Sequence, residues 1–166
     1  MAATGGAPGA GVAGARMNGP AFFGYGSLVN VATHDYADPR PATLQGWRRI
    51  WRRTNLRDAA FLSVEPAAGC TLQGLTAHVP GADWALLDQR EAAYQRVDVT
   101  DRIRRNGPVS STAVYQVKPE HHSAGEHPIL LSYLDVVVQG YLQVYGHRGA
   151  MHFFDTTDGW GGIGVR

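Results

Sequence analysis

The chain has 166 residues, 44% of them apolar, and fifteen Lys and Arg against fourteen Asp and Glu leave a formal charge of +1. That length suits one domain with a sizeable core, and the near-balanced charge gives no general electrostatic pull towards nucleic acid or membrane. Cys70 is the only cysteine, so an intrachain disulfide is excluded and a reducing, cytoplasmic setting is expected.

Residues 1–20 are mostly Gly and Ala, without the basic start and apolar run of a secretory signal. They read as a disordered tail ahead of a single domain over residues 21–166, with Met17 as an alternative start. No stretch approaches the length of a membrane span. Ala21 to Leu28 begins as an apolar strand and runs into the loop Gly24-Tyr25-Gly26-Ser27-Leu28. Thr43 to Thr54 alternates large apolar and basic residues, which predicts a strand with one basic face. Ala60 to Glu65 and Thr71 to Val79 read as two strands joined by a turn at Pro66 to Gly69. Cys70 sits where that turn enters the second strand, an inert setting for a thiol.

A helix is expected over Asp83 to Gln95, with Asp83 as its N-cap. At about 100° per residue, Trp84, Leu87, Glu91 and Tyr94 share one stripe. Three of these favour burial, and Glu91 lies among them. An inward carboxylate is costly when ionised, so its pKa rises unless a cation pairs with it. Glu91 is therefore either a general acid/base or the partner of an arginine, with Arg48, Arg49, Arg52 and Arg53 as candidates and Arg90 on a different face. Val97 to Ile103 and Thr112 to Val117 read as strands, with a turn at Asn106-Gly107-Pro108. The clearest helix follows, with Pro128 at its first position, Gly146 just past its end, and Gly140 allowing close packing inside. Met151 to Arg166 reads as a Gly-rich, aromatic loop. Strands that do not alternate regularly with helices argue for an α+β fold with a curved, partly closed sheet.

The Gly24 to Leu28 loop can turn backbone N–H groups outward to hold a carboxylate or an oxyanion, although an ordinary strand-end turn has the same composition. It lacks the spacing and lysine of a phosphate loop and the second glycine of a nucleophile elbow. His121, His122 and His127 cluster in sequence, but no carboxylate completes a metal motif. His147 and His152 read as loop residues.

Taken in order, Phe23-Gly24-Tyr25-Gly26-Ser27-Leu28, Leu44-Gln45-Gly46-Trp47-Arg48-Arg49, Gly74-Leu75 and Leu87-Asp88-Gln89-Arg90-Glu91-Ala92-Ala93-Tyr94 resemble the γ-glutamylcyclotransferase superfamily. The resemblance runs from about Ala21 to Lys118, and the Ser132-Tyr133-Leu134 helix suits it. It implies a small mixed β-barrel flanked by helices. Tyr25, Gly26, Ser27 and Leu28 would form the substrate cavity, with Glu91 as catalytic acid/base. Tyr115 is either a pocket tyrosine, as the resemblance suggests, or an ordinary strand aromatic. Tyr94 is expected to pack beside Glu91. Arg53, Asn55 and Arg57 either help recognise a charged substrate or form a solvated basic edge.

The implied reaction is cyclisation of a γ-glutamyl group to 5-oxoproline, with no metal or organic cofactor. The loop motif is most like the glutathione-specific branch, but Asn55 to Ala60 does not reproduce that branch's Arg-Gly-containing stretch. Glutathione and γ-glutamyl amino acids, peptides and amines all stay open as substrates. The implied partner is thus a small molecule, with neither nucleic acid nor membrane, and the protein is a monomer or a homodimer. Two other readings remain: a non-catalytic ligand or interaction module on the same fold, and acyl transfer through Ser27, which needs a histidine base.

Overall fold

The computed structural model describes residues 19–166, so nearly all of the expected tail, and Met17, lie outside the described residues. Seven strands form one mixed sheet: β1 (Ala21–Gly24), β2 (Arg40–Thr54), β3 (Arg57–His78), β4 (Tyr94–Asp98), β5 (Ile103–Arg105), β6 (Thr112–Val117) and β7 (Thr157–Asp158). Their order is β4-β6-β1-β3-β2-β5, with β7 beside β2. The pairings of β1 with β6 and of β2 with β7 are parallel, and the rest are antiparallel. The fold is α+β, a curled sheet forming a half-barrel with two helices, α1 (Trp84–Arg90) and α2 (Leu131–Asp155).

The long β2–β3 hairpin is the frame. The expected turn at Pro66 to Gly69 does not reverse the chain. Trp47 faces Pro66 and Gln45 faces Thr71, so Gly46 alone stands opposite residues 67–70 in a wide irregularity within one continuous strand. The strand simply resumes after it, with Leu72 and Leu75 buried. Nor is there one basic face on β2. Arg48 and Arg52 both pair with Glu65 on the outer side, while Arg49 points inward and is 0% exposed. The expected strand Val97 to Ile103 is two strands on opposite margins of the sheet, β4 beside β6 and β5 beside β2, with a 3-10 turn at Thr100–Arg102 between them.

Asp83 caps α1 as expected, its Oδ1 accepting from the Ala85 N–H at 2.9 Å. The helix is shorter than its sequence suggests and ends at Arg90. Ala92 and Ala93 favour helix, but Tyr94 to Asp98 bond along β6, and tertiary pairing overrides propensity.

α2 begins at Leu131, three residues after Pro128, because Pro128 and Ile129 are engaged elsewhere. Pro128 O accepts from the Ala60 N–H, and Ile129 bridges to Ala60 and Val165. Gly146 adopts φ 70° and ψ −166°, which breaks the helix there, yet helical structure continues to Asp155. The expected loop from Met151 is thus helical at its start. Gly140 does permit close packing: a Cβ at this position would stand 2.6 Å from Asn30 N, so only glycine lets α2 settle onto the segment that follows β1. Phe23, Leu44, Leu62, Val114, Val137 and Phe153 belong to the main core beneath α2.

Candidate active site

β1 is a central strand, and where it leaves the sheet the chain turns into a 3-10 turn at Ser27–Val29. Inside that turn Val29 N–H donates to Gly26 O and Asn30 N–H to Ser27 O. The N–H groups of Gly26, Ser27 and Leu28 precede these bonds and meet no acceptor among the described residues. They form a short run of free donors, as the first N–H groups of any helical turn do. The loop is held from below. Asn30 Nδ2 donates to Val136 O on α2, and the Tyr141 hydroxyl bonds Tyr25 O at 2.9 Å.

The loop forms one wall of a cavity of about 80 Å³, and Glu91 lies in the other wall. Tyr25, Gly26, Ser27, Leu28, Tyr115 and Glu91 therefore all line the same cleft, joined by Leu62, Arg90, Tyr94 and Tyr133. Glu91 is not inside a helix, as the helical stripe suggests. It caps the C-terminus of α1 with φ −99° and ψ 36°, its N–H donating to Leu87 O and its own carbonyl accepting from Tyr94 N–H. Trp84, Leu87 and Tyr94 still gather on one side of the site, although Tyr94 reaches it from β4.

The Glu91 side chain is 21% exposed, and its carboxylate accepts no hydrogen bond from a described residue. Its nearest cation is the neighbour Arg90, with Nε 3.8 Å from Oε1, and not an arginine of β2. Arg90 is shared, because its guanidinium also bonds the Tyr36 hydroxyl. Burial raises the Glu91 pKa above the ordinary glutamate value, and Arg90 offsets part of the rise. Expecting an inward carboxylate is thus correct, while the partner expected for it is not.

The tyrosines divide by function. Tyr25 is buried and donates to Tyr115 O at 2.6 Å, so its hydroxyl joins the loop to β6 and only its ring and backbone face the cleft. Tyr94 packs beside Glu91 as expected, its hydroxyl 3.3 Å from Leu62 O. Tyr115 is at once a strand residue and a cleft residue, and its hydroxyl donates to Asp88 Oδ1 at 2.7 Å. Burial, first of all, raises the pKa of each of these phenols. Tyr133 is the cleft residue that sequence reasoning does not single out. Its Oη stands 3.0 Å from where a Gly26 Cβ would be, which makes glycine fitting at that position. Helical periodicity places Tyr133 on the apolar face of α2 but carries no signal that its hydroxyl reaches the loop.

Ser27 has no histidine beside it to act as a base. Among the described residues no histidine lines the cleft, and His34, in the segment after the loop, is engaged with Leu28 O at 2.8 Å through Nε2. Cys70 is exposed and does not line the cleft. Among the described residues no three His, Cys, Asp or Glu side chains are grouped to hold a metal ion, and no helix is long and apolar enough to cross a membrane.

A second, wider cavity of about 370 Å³ adjoins the first and shares Arg90, Glu91 and Tyr94 with it. Of the β2–β3 tip residues, Leu56 and Arg57 line this cavity, whereas Arg53, which bonds Gly162 O, and Asn55, which bonds Glu120 O, do not.

Several solved structures share the fold. YkqA from Bacillus subtilis superposes with a TM-score of 0.65 at 19% identity over 86% of this chain, but the match spans only 56% of that protein's length. A structure described as a gamma-glutamyl cyclotransferase gives 0.66 at 12% identity, over 87% of this chain and 92% of that one. A yeast gamma-glutamyl cyclotransferase specific to glutathione gives 0.52 at 16% identity, over 83% and 97%. No curated protein matches the sequence. A family model described as gamma-glutamyl cyclotransferase, AIG2-like, matches residues 22–134, and the chain belongs to that family.

Proposed function

We propose that the protein is a γ-glutamylcyclotransferase that releases 5-oxoproline from a γ-glutamyl substrate, with Glu91 as general acid/base. Membership of the family supports activity of this type. The observation that carries the residue assignment is the Glu91 carboxylate, half-desolvated and without a hydrogen-bond donor, across a cleft from three unpaired backbone N–H groups.

The chemistry follows from those parts. The nucleophile is the substrate's own α-amine, so no Ser or Cys nucleophile is required. The amine nitrogen attacks the γ-carbonyl carbon and closes a five-membered ring. The bond from that carbon to the leaving nitrogen then breaks. Glu91 takes a proton from the attacking nitrogen and returns it to the leaving one, so no net proton is consumed. A carboxyl group raised towards neutrality suits both transfers. The free N–H groups of Gly26 to Leu28 would hold the substrate carboxylate or the oxygen that gains charge at the ring-forming carbon. Holding the glutamyl chain folded supplies a further share of the barrier reduction.

Mass spectrometry of 5-oxoproline tests this reading, with glutathione, γ-glutamyl-alanine, γ-glutamyl-cysteine and γ-glutamyl-ε-lysine as the substrate panel. Product from wild type but not from Glu91→Gln supports it. Undiminished product from the folded variant would refute the role of Glu91, and a silent wild type would favour the non-catalytic module.

A further inference from the structure

The wider cavity adjoins Glu91 and, unlike the smaller one, is lined by no residue of the Tyr25 to Leu28 loop, so a γ-glutamyl group held at that loop would leave this space for the expelled group. Its walls are largely apolar, with Leu56, Phe61, Ala93 and Val117 among them. Leu56 is 50% exposed at the tip of the β2–β3 hairpin, where its side chain forms part of the apolar rim of this cavity. The tip is not loose. Asn55 N–H donates to His121 O, Ser123 N–H donates to Arg53 O, and Thr54 bridges to His122, so the segment after β6 braces it over the cleft.

Two arginines line this cavity, and they differ. Arg90 is occupied with Glu91 and the Tyr36 hydroxyl. Arg57 forms no ion pair and no side-chain hydrogen bond with any described residue. A guanidinium without a partner beside an apolar wall is complementary to an anion carried on an apolar body.

We infer that the wider cavity is a leaving-group site that selects γ-glutamyl conjugates of apolar α-amino acids, with Phe61 and Leu56 receiving the side chain and Arg57 the carboxylate. This inference rests on the cyclotransferase reading above for the identity of the γ-glutamyl half. It separates this protein from an enzyme for γ-glutamyl amines, whose leaving group brings no carboxylate for Arg57 to meet.

The test compares γ-glutamyl-phenylalanine with γ-glutamyl-phenethylamine, which lacks only the carboxylate of the leaving group. Calorimetry on Glu91→Gln reads recognition without turnover, and 5-oxoproline release by wild type reads the reaction. The acid is expected to bind, and to react by kcat/KM, about tenfold better than the amine, mainly through KM. Arg57→Gln should bring that ratio close to one, and Arg57→Lys should restore part of it. A wild-type ratio near one, or a ratio that Arg57→Gln does not change, overturns the inference even if 5-oxoproline forms. An Arg57-dependent binding preference without 5-oxoproline upholds the recognition site and refutes the cyclotransferase reading. No binding and no product refutes both.

Discussion

Arg49 and Glu91 both point into this protein, and they are treated in opposite ways. Arg49 is buried between β2 and the far end of α2. It donates to Phe153 O, to Thr157 Oγ1 at 2.9 Å, to Gln73 O at 3.1 Å and to the Tyr141 hydroxyl at 2.8 Å. The rings of Tyr141 and Phe153 lie 5.0 and 4.8 Å from its guanidinium carbon. Only its Nε lacks a partner. Glu91, by contrast, has one shared arginine at 3.8 Å and no hydrogen-bond donor. A cation surrounded by oriented carbonyls and hydroxyls has its charge solvated by the fold and acts as a strut. A carboxylate denied such company keeps its proton affinity and stays available to a substrate.

The sharpest break in this contrast is on the Glu91 side. Glu91→Gln should lower kcat by about 10³-fold, within the range for loss of a general acid/base. The same variant should melt no lower than wild type, since the native carboxylate is poorly compensated. A matched loss of activity and melting temperature would make Glu91 a structural residue.

On the other side the effect should fall on stability. Arg49→Ala removes a large buried side chain and several hydrogen bonds, and is expected to cost about 3 to 4 kcal/mol in urea unfolding. Turnover by the surviving folded fraction should keep the wild-type pH profile. A shifted acid limb would mean that Arg49 acts on Glu91.

The two regions meet at Tyr141, whose hydroxyl touches both Arg49 and Tyr25 O. Tyr141→Phe should cost about 1 to 2 kcal/mol of stability and raise KM several-fold, because the substrate loop loses its tether. An unchanged KM would detach the loop from the strut.

The smallest effect is a pH dependence. The pKa of Glu91 is raised in the folded state. Below the ordinary glutamate range it is protonated in both states and adds no cost. As pH rises past that value the unfolded chain releases its proton first, so this group's contribution to stability falls. Above the raised value the cost is complete and constant. Subtracting the melting curves of Glu91→Gln from those of wild type isolates this component. The difference should grow against wild type as pH rises through the ordinary glutamate range and level off once pH exceeds the raised value. A flat difference would mean that burial does not perturb Glu91. The acid limb of kcat/KM should likewise lie above the ordinary glutamate value.

How far the sequence carries the reader differs between these two charges. Glu91 stands among Trp84, Leu87 and Tyr94, so a local pattern betrays it even though α1 ends at the residue before it. The glycines of the Gly24 to Leu28 loop are likewise a local signal. Arg49 gives no such sign. Between Arg48 and Ile50 it looks like one more basic residue of an alternating strand, and its acceptors lie 24 to 108 residues away in sequence. The same limit explains why Val97 to Ile103 looks like one strand. Whether two short apolar runs join one margin of a sheet or two depends on partners that no local window contains. Tyr133 and the bracing of the hairpin tip are hidden for the same reason.

The remote origin of the site's parts also bears on folding. β1 is the first strand of the chain, but its parallel neighbour β6 arrives about ninety residues later, and the loop after it is fastened by Tyr115 at a separation of 90 and by Tyr141 at a separation of 116. The β2–β3 hairpin can zip early from its own two-residue tip, whereas the cleft cannot exist until α2 has been made. Such non-local closure slows folding. It also means that a nascent or truncated chain stopping before residue 131 can carry Glu91, Gly26 and Ser27 and yet lack the α2 contacts that hold the loop and close the cleft.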